Sequence, residues 1–544
     1  MIIKHINTQP FMDQRPGTSG LRKKVSVFQQ SHYLENFIQS IIDIIGGGKG
    51  KTWIIGGDGR YFNDEAIKII LRIVCANKFK KVWIGQNGLL STPAVSHLIR
   101  HYYADGGVIL SASHNPGGIK GDFGIKYNTS NGSPAPENIV EKIYQRTQEI
   151  TTYRISDDFS LDLSFLNKHT YEETEIEIVD SVYEYALLME KIFDFQAIQD
   201  LFIIKKFNFV FDAMHAATGP YALDIFEKRI GASSGTVKNF IPQKDFGGIH
   251  PDPNPIYARH LVDLMMQDQH PDFAAASDGD GDRNMVIAPS QIIIPSDSIA
   301  ILAAHAHLIP AYQNGLKGVA RSMPTSQALD QVAHFLNIPC YETPTGWKYF
   351  GNLLDAGLIT LCGEESAGSG SNHIREKDGL WAILFWLNLI AIKREPVNKI
   401  VSDHWHKFGR HFYARYDYEN LDKNIADKMM NGFAENMHKF INKTIHSRTI
   451  IKIDNFSYQD PIDGFIVYHQ GFRLILDQGG RIVMRLSGTG TEGATLRIYL
   501  EQYIKNYRDY SIQSAYILHE LDYISKEILK LTEYTGLRQP TIIT

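Results

Sequence analysis

Gly107-Val108-Ile109-Leu110-Ser111-Ala112-Ser113-His114-Asn115-Pro116-Gly117-Gly118 runs an apolar segment straight into a polar turn, and that junction decides the fold class. The apolar part reads as a buried strand. A strand ending in such a loop carries reactive groups to the carboxyl edge of a sheet, where α/β proteins bind ligands. Ser113 and His114 set a hydroxyl and an imidazole on the turn. Asn115-Pro116-Gly117-Gly118 bends it sharply, because proline fixes φ and glycine accepts positive φ. Alone, a Ser-His pair is usually only a polar turn. Two more loops of the same design change that reading.

Phe273 to Arg283 and Leu358 to Gly370 repeat the grammar of Val108 to Gly118: an apolar strand, then a polar, glycine-rich loop. Asp278-Gly-Asp280-Gly-Asp282-Arg283 sets three carboxylates at alternate positions. Carboxylates so close repel unless a cation neutralises them, and hard oxygen ligands select Mg²⁺ or Ca²⁺. An EF-hand is excluded, since Arg283 stands at the sharp-turn glycine and Pro289 at the bidentate glutamate. A solvated Asp-Gly turn explains one such pair easily and three in succession poorly. Gly363-Glu364-Glu365-Ser366-Ala367-Gly368 follows the strand Leu358 to Cys362, and its polar groups suit vicinal sugar hydroxyls. Arg375 and Lys377 add cations nearby in sequence.

Arg485-Leu-Ser487-Gly-Thr489-Gly-Thr491-Glu492-Gly493, with Arg497 beyond it, reads as a phosphate cradle. Small residues expose successive backbone N–H groups, and arginine binds phosphate in bidentate fashion. Thr18-Ser-Gly-Leu-Arg22-Lys23 is a weaker contact of the same kind. Gly46-Gly-Gly-Lys-Gly-Lys-Thr52 imitates a nucleotide P-loop, but its first glycine is one residue too close and it precedes a strand.

At 544 residues the chain exceeds one core, and length alone suggests roughly three to four domains. A net charge of −5 argues against non-specific nucleic-acid binding, which needs a clustered basic surface. Cys75, Cys340 and Cys362 lie far apart without metal-ligand spacing, as in a reducing compartment. The N-terminus lacks a signal-peptide apolar core. The longest apolar run, Leu380 to Ile392, is too short to span a bilayer and reads as a buried helix with Asp378 as N-cap. These features predict a cytoplasmic protein with no membrane partner.

Strand-like runs at 52–56, 81–85 and 207–211 alternate with helical stretches at 33–45, 63–77, 93–103, 136–149 and 181–200. That alternation predicts α/β layers with largely parallel strands. From about residue 408 the order changes: a helix near 424–441, strands at 464–468, 472–476 and 481–486, then a terminal helix. A smaller α+β domain is expected there.

Together these loops resemble the α-D-phosphohexomutase superfamily, and within it the long-chain phosphoglucomutases. Gly56-Gly-Asp-Gly-Arg60, Thr343-Pro-Thr-Gly-Trp-Lys348 and Ser371-Asn-His-Ile-Arg-Glu-Lys-Asp-Gly379 add to the likeness, which covers nearly the whole chain. The resemblance implies four domains around a central cleft, over residues 1–182, 183–294, 295–407 and 408–544. The first three would be similar mixed α/β units and the last an α+β domain. It implies a phosphorylated Ser113 and Mg²⁺ held by Asp278, Asp280 and Asp282 with that phosphate. Glu364 and Ser366 would read the sugar, with Thr345 and Gly346 bordering it. Ser487, Thr489 and Arg497, with Arg485, would hold the non-transferring phosphate. Arg22, Arg283, His114, Lys126 and Lys377 would surround the transferring one. Ala367 stands where the family commonly has Phe, and Glu492 is an unexpected acid beside a phosphate loop.

The resemblance implies interconversion of glucose 1-phosphate and glucose 6-phosphate by a monomer, through glucose 1,6-bisphosphate as activator and intermediate. Ser113 phosphate would pass to the substrate, the bisphosphate would turn over, and its other phosphate would return to Ser113. A separate phosphate site and exclusion of water are then required. His114, Lys126 and Lys377 are the candidates for the general base. Two rival readings are the same chemistry on mannose or glucosamine phosphates, and a non-catalytic scaffold protein.

Overall fold

The computed structural model describes residues 2–487, 493–505, 510 and 512–544. The chain forms two compact units. The first comprises Met1–Pro295, His305–Lys317 and Gly346–Val397; the second comprises Ser296–Ala304, Gly318–Thr345 and Asn398–Thr544.

A seven-stranded sheet anchors the first unit, in the order Leu21–Lys24, Asp122–Thr129, Gly106–Leu110, Thr52–Gly57, Lys81–Leu89, Thr174–Val179, Lys168–Tyr171. Four central strands run parallel and the outer pairings are antiparallel, so the sheet is mixed rather than largely parallel. Asp122–Thr129 and Lys168–Tyr171 join the neighbouring strands Gly106–Leu110 and Thr174–Val179 without a helical crossover, and so pair with them antiparallel. Gly106–Leu110 is buried throughout, as a central strand covered on both faces should be. The helix Tyr33–Ile44 packs on this sheet through Leu34, Phe37, Ile38, Ile41 and Ile42, a spacing that forms one helical stripe.

A second sheet in this unit has the order Val237–Lys238, Phe209–Asp212, Phe273–Ser277, Asn284–Ala288, Gln291–Ile293, again part parallel and part antiparallel. Leu361–Gly363 and Ser369–Ser371 form an antiparallel pair. The expected helix over 181–200 is two helices, Tyr183–Ile192 and Phe195–Ile203. Asp194 breaks the run because its carboxylate accepts from Ala197 N (2.9 Å) and starts the second helix as N-cap. The helix Gly379–Lys393 is buried on all sides over Gly379 to Ala391, and Asp378 caps it by accepting from Trp381 N (3.1 Å). Among the described residues no helix is long and apolar enough to cross a membrane.

The second unit holds the parallel pair Val319–Ser322 and Cys340–Thr343. Its main sheet is antiparallel and seven-stranded, in the order Thr444–Ile445, Arg448–Asn455, Phe472–Leu476, Gly480–Ser487, Ala494–Ile504, Arg410–Leu421, Ile542–Ile543. The helices Lys423–Asn436 and Ser514–Leu529 bury Met429, Phe433, Leu518 and Leu521 in one core with it. The strand expected at 464–468 shrinks to Ile466–Val467, and the helix expected to 441 ends in a 3₁₀ turn, Met437–Phe440.

Candidate active site

The two loops that end buried strands meet. Ser113 follows the strand Gly106–Leu110, and Asp278 follows Phe273–Ser277. Ser113 adopts a left-handed backbone, φ 53°, which a residue with a Cβ occupies only when its surroundings hold it there. Its Oγ donates to Asp278 Oδ2 at 2.8 Å and lies 3.4 Å from His114 Nδ1. The glycines of the acidic loop permit this approach. A Cβ on Gly279 would strike the Ser113 carbonyl, and Gly281 turns the loop at φ 80°.

Asp278, Asp280 and Asp282 are all buried and each offers a carboxylate oxygen within 4.8 Å of the others. Asp280 Oδ2 accepts from Thr92 Oγ1 (2.6 Å) and Lys126 Nζ (2.9 Å). Asp282 Oδ2 lies 3.6 Å from Lys126 Nζ and 3.2 Å from Lys377 Nζ. The Arg283 backbone N–H donates to Asp278 Oδ1 at 3.0 Å. Asp280 Oδ1 and Asp282 Oδ1 are buried without any hydrogen-bond partner. Burial, then Asp282 and Asp280, push the Asp278 carboxyl well above the usual range. Burial also opposes the charge of Asp280, but Lys126 and Thr92 outweigh it and hold that carboxyl low. Buried, crowded carboxylates with orphan oxygens fit a hard divalent cation, which supplies the missing partners. This donor set could hold a metal.

Cations face the same point. Arg22 lies on Leu21–Lys24, opposite Gly124, and its Nε is buried without a hydrogen-bond partner. Burial lowers its guanidinium pKa; Asp280 opposes that shift and Arg283 reinforces it. A guanidinium donor left free beside carboxylates suits an incoming phosphoryl group.

The loops expected to border a sugar are joined as well. Glu364 Oε1 accepts from Gly346 N (2.8 Å), and Glu364 N donates to Gly368 O (2.8 Å). Gly368 bridges to Arg283, and Asn284 N donates to Ala367 O (3.0 Å), so the glutamate loop is tied to the end of the aspartate loop. Ala367, the departure from the family's Phe, sits at φ 71°. Burial and Glu365 raise the Glu364 carboxyl, with Lys377 opposing. Ser366 is half-buried, and Thr345 Oγ1 is buried without a partner. A Cβ on Gly346 would approach Thr18 to 2.7 Å, so the Thr18–Arg22 segment adjoins this loop.

In the second unit, Arg485 and Arg497 stand directly opposite each other on neighbouring antiparallel strands. Like charges so paired repel, and an anion between them removes the conflict. Arg485 Nε donates to Gln470 O (3.0 Å), and Arg497 Nε lies 3.6 Å from Asp417. Ser487 ends its strand opposite Thr495. Thr489, together with Thr491 and Glu492, lies outside the described residues.

Three contributions escaped the sequence reading. Thr92 reaches Asp280 from the start of the helix Thr92–His101, where Ser91 is the N-cap. Asn128 donates to Glu376 (2.9 Å), whose carboxyl burial pushes up to about 7 against the pull of Lys126. Asp378, besides capping its helix, accepts from Tyr185 OH (2.6 Å) and lies 3.0 Å from His373 Nε2, which fixes the turn carrying Lys377. The helix-opening Ser91-Thr92-Pro93 was the one readable sign of these, and it says nothing about its partner.

Residues 13–154, 183–291 and 295–408 match the models of phosphoglucomutase/phosphomannomutase alpha/beta/alpha domains I, II and III. Residues 410–541 match the phosphoglucomutase-1 C-terminal domain. The chain therefore has four domains, three of them α/β/α. It is 51% identical over 543 residues to the phosphoglucomutase of Rhizobium radiobacter, covering 100% of both chains. It is 47% identical over 573 residues to the cytoplasmic phosphoglucomutase of Bromus inermis, covering 99% of each. The open form of the exocytosis-sensitive phosphoprotein pp63/parafusin (phosphoglucomutase) of Paramecium superposes with TM-score 0.92 at 45% identity, covering 100% of this chain and 99% of the other. The chain belongs to the phosphohexomutase superfamily as a phosphoglucomutase-1-type isomerase.

Proposed function

We propose that this protein interconverts glucose 1-phosphate and glucose 6-phosphate through a phosphorylated Ser113. The observation that carries this reading is Ser113 Oγ held 2.8 Å from Asp278, inside a buried cluster with orphan carboxylate oxygens. Phosphoryl transfer needs in-line positioning and charge neutralisation more than covalent help. Mg²⁺, held by Asp278, Asp280, Asp282 and the Ser113 ester, would polarise the phosphoryl oxygens. In the first half-reaction the Ser113 Oγ–P bond breaks and a bond from phosphorus to the substrate O6 forms. Of the three candidate bases, His114, Lys126 and Lys377, Lys126 is held as an ammonium by Asp280 and Asp282, so the O6 proton goes to His114 or Lys377. Lys126 and Lys377, ion-paired to the aspartates, also balance charge on the transferring group, as do Arg22 and Arg283. Glucose 1,6-bisphosphate then turns over, and its 1-phosphate returns to Ser113.

Glu364 and Ser366, with Thr345 and Gly346, are assigned to the sugar hydroxyls. Arg485, Ser487, Thr489 and Arg497 are assigned to the phosphate that does not react. We place the domain boundaries near residues 182, 294 and 407, a division the limits of the four family matches support. We assign the protein to the cytoplasm as a monomer; three free cysteines and the cytoplasmic Bromus relative support that location.

A coupled assay with and without glucose 1,6-bisphosphate and Mg²⁺ tests the reading. Turnover of glucose 1-phosphate that requires both, lost in Ser113→Ala, is expected. Higher kcat/KM on mannose or glucosamine phosphates would change the substrate, and no turnover on any sugar would leave a scaffold role.

A further inference from the structure

Ser113 is held at both ends of its peptide unit by residues with no assigned role. Thr52–Gly57 and Gly106–Leu110 are adjacent parallel strands with Gly57 opposite Leu110. The residues that follow, Asp58 and Ser111, therefore emerge side by side at one sheet edge. Ser111 Oγ donates to Asp58 Oδ2 at 2.6 Å and accepts from the Ser113 backbone N–H at 2.7 Å. Arg60 Nε pairs with Asp58 Oδ1 (3.0 Å) and Oδ2 (2.9 Å). Its Nη2 donates to the Ser113 carbonyl at 2.7 Å, and its Nη1 to the Asp122 carbonyl at 2.8 Å. Asp58, Arg60 and Ser111 are all fully buried, and Phe246 covers the guanidinium at 5.1 Å.

A buried ion pair of this kind contributes little stability against a well-packed apolar alternative. Here Ser111 Oγ and Arg60 Nη2 both reach the backbone of Ser113, while Arg60 Nη1 reaches Asp122 at the start of the next strand. One arm fixes its N–H, the other its C=O, and between them the residue keeps a backbone conformation that serine disfavours. Release of either arm lets the peptide relax toward negative φ, and Oγ swings away from Asp278.

We propose that Asp58, Arg60 and Ser111 are positioning residues for phosphoryl transfer, a clamp that aims Ser113 Oγ at the aspartate cluster. The clamp rests on the mutase reading above. It acts on the reacting hydroxyl and not on the sugar or phosphate contacts, so it governs kcat and spares KM.

Ser111→Ala leaves the ion pair whole and removes only the link to the Ser113 N–H. A displacement on the order of 1 Å at a reacting atom costs roughly 100-fold in rate. Ser111→Ala should therefore lower kcat about 100-fold, with KM for glucose 1-phosphate within about threefold. Labelling of dephosphorylated enzyme at Ser113 by glucose 1,6-bisphosphate should slow in parallel. Asp58→Asn should act through the same link, so adding Ser111→Ala to it should cost far less than the product of the two single effects. Where Asp58→Asn fails to fold because Arg60 is left unpaired, Ser111→Ala decides. A kcat within twofold of wild type in Ser111→Ala overturns the clamp, as does a KM that rises as much as kcat falls. Wild-type protein with no turnover sinks the mutase reading instead, a distinct result.

Discussion

Each unit buries a cluster of charges, and the two clusters are completed differently. In the second unit, Arg321 forks between Asp330 and Glu342, and Arg473 joins Glu342 to Asp454. Both oxygens of Glu501 are taken, one by Arg481 (2.8 Å), the other by His411 (2.6 Å) and the Gln327 N–H (2.7 Å). Burial works against the Glu501 charge, yet His411 and Arg481 bring its carboxyl down to about 2. In the first unit, Asp280 and Asp282 each keep an oxygen with no partner, and Asp278 is pushed the other way. A carboxylate with both oxygens partnered, as Glu501 is, holds a fold together. One left short of donors is kept for something that arrives.

The sharpest way to break this contrast is to neutralise one acid in each cluster. Asp278→Asn should lower kcat about 1,000-fold, the scale of a lost transition-state contact, while strengthening the metal-free fold by on the order of 1 kcal/mol through relief of like charge. Activity and urea midpoints without metal check both signs; a weaker fold would overturn the comparison. Glu501→Gln should do the reverse, weakening the fold by about 3 kcal/mol with little change in kcat of the folded enzyme.

The pH dependence sharpens it further. The folded value of Glu501, about 2, lies below its ordinary 4.5, so its stabilisation is full above pH 4.5 and is lost as pH falls toward 2. Asp297 runs the other way. Burial, against Arg410, His411 and a hydrogen bond from Trp405, raises it from 3.8 to about 6. Its ionisation therefore weakens the fold progressively from pH 4 to 6. Asp297→Asn should add about 2 kcal/mol at pH 7 and nothing near pH 4, measured by urea unfolding across that range. The smallest effect belongs to the facing arginines. Arg485→Gln should raise KM about tenfold and strengthen the phosphate-free fold by about 0.5 kcal/mol. An unchanged KM would remove Arg485 from phosphate binding.

Local signals carried most of the site into the sequence. Three alternating aspartates, a serine after an apolar run and Asp378 ahead of a helix each state their chemistry within a few residues. Contacts that join distant positions were silent: Thr92 to Asp280 spans 188 residues, and Asn128 to Glu376 spans 248. Asp58 and Arg60 stood inside a segment like the family's, yet only the register of two strands reveals that they grip Ser113. Strand direction was legible only in part, since apolar runs mark burial and not polarity of pairing. The left-handed Ser113 was invisible, because no residue type announces it as glycine does.

Lys377 and Asp378 close the turn that leads into the helix Gly379–Lys393, and that helix presents almost no face to water. An element enclosed on every side can neither slide nor rotate without opening the packing around it. Attempts to retune this protein toward another sugar by directed evolution would therefore gain little from residues 371–393. Variation would be better spent on Thr345, Ser366 and Ala367, the half-buried positions of the loops at 343–347 and 363–368.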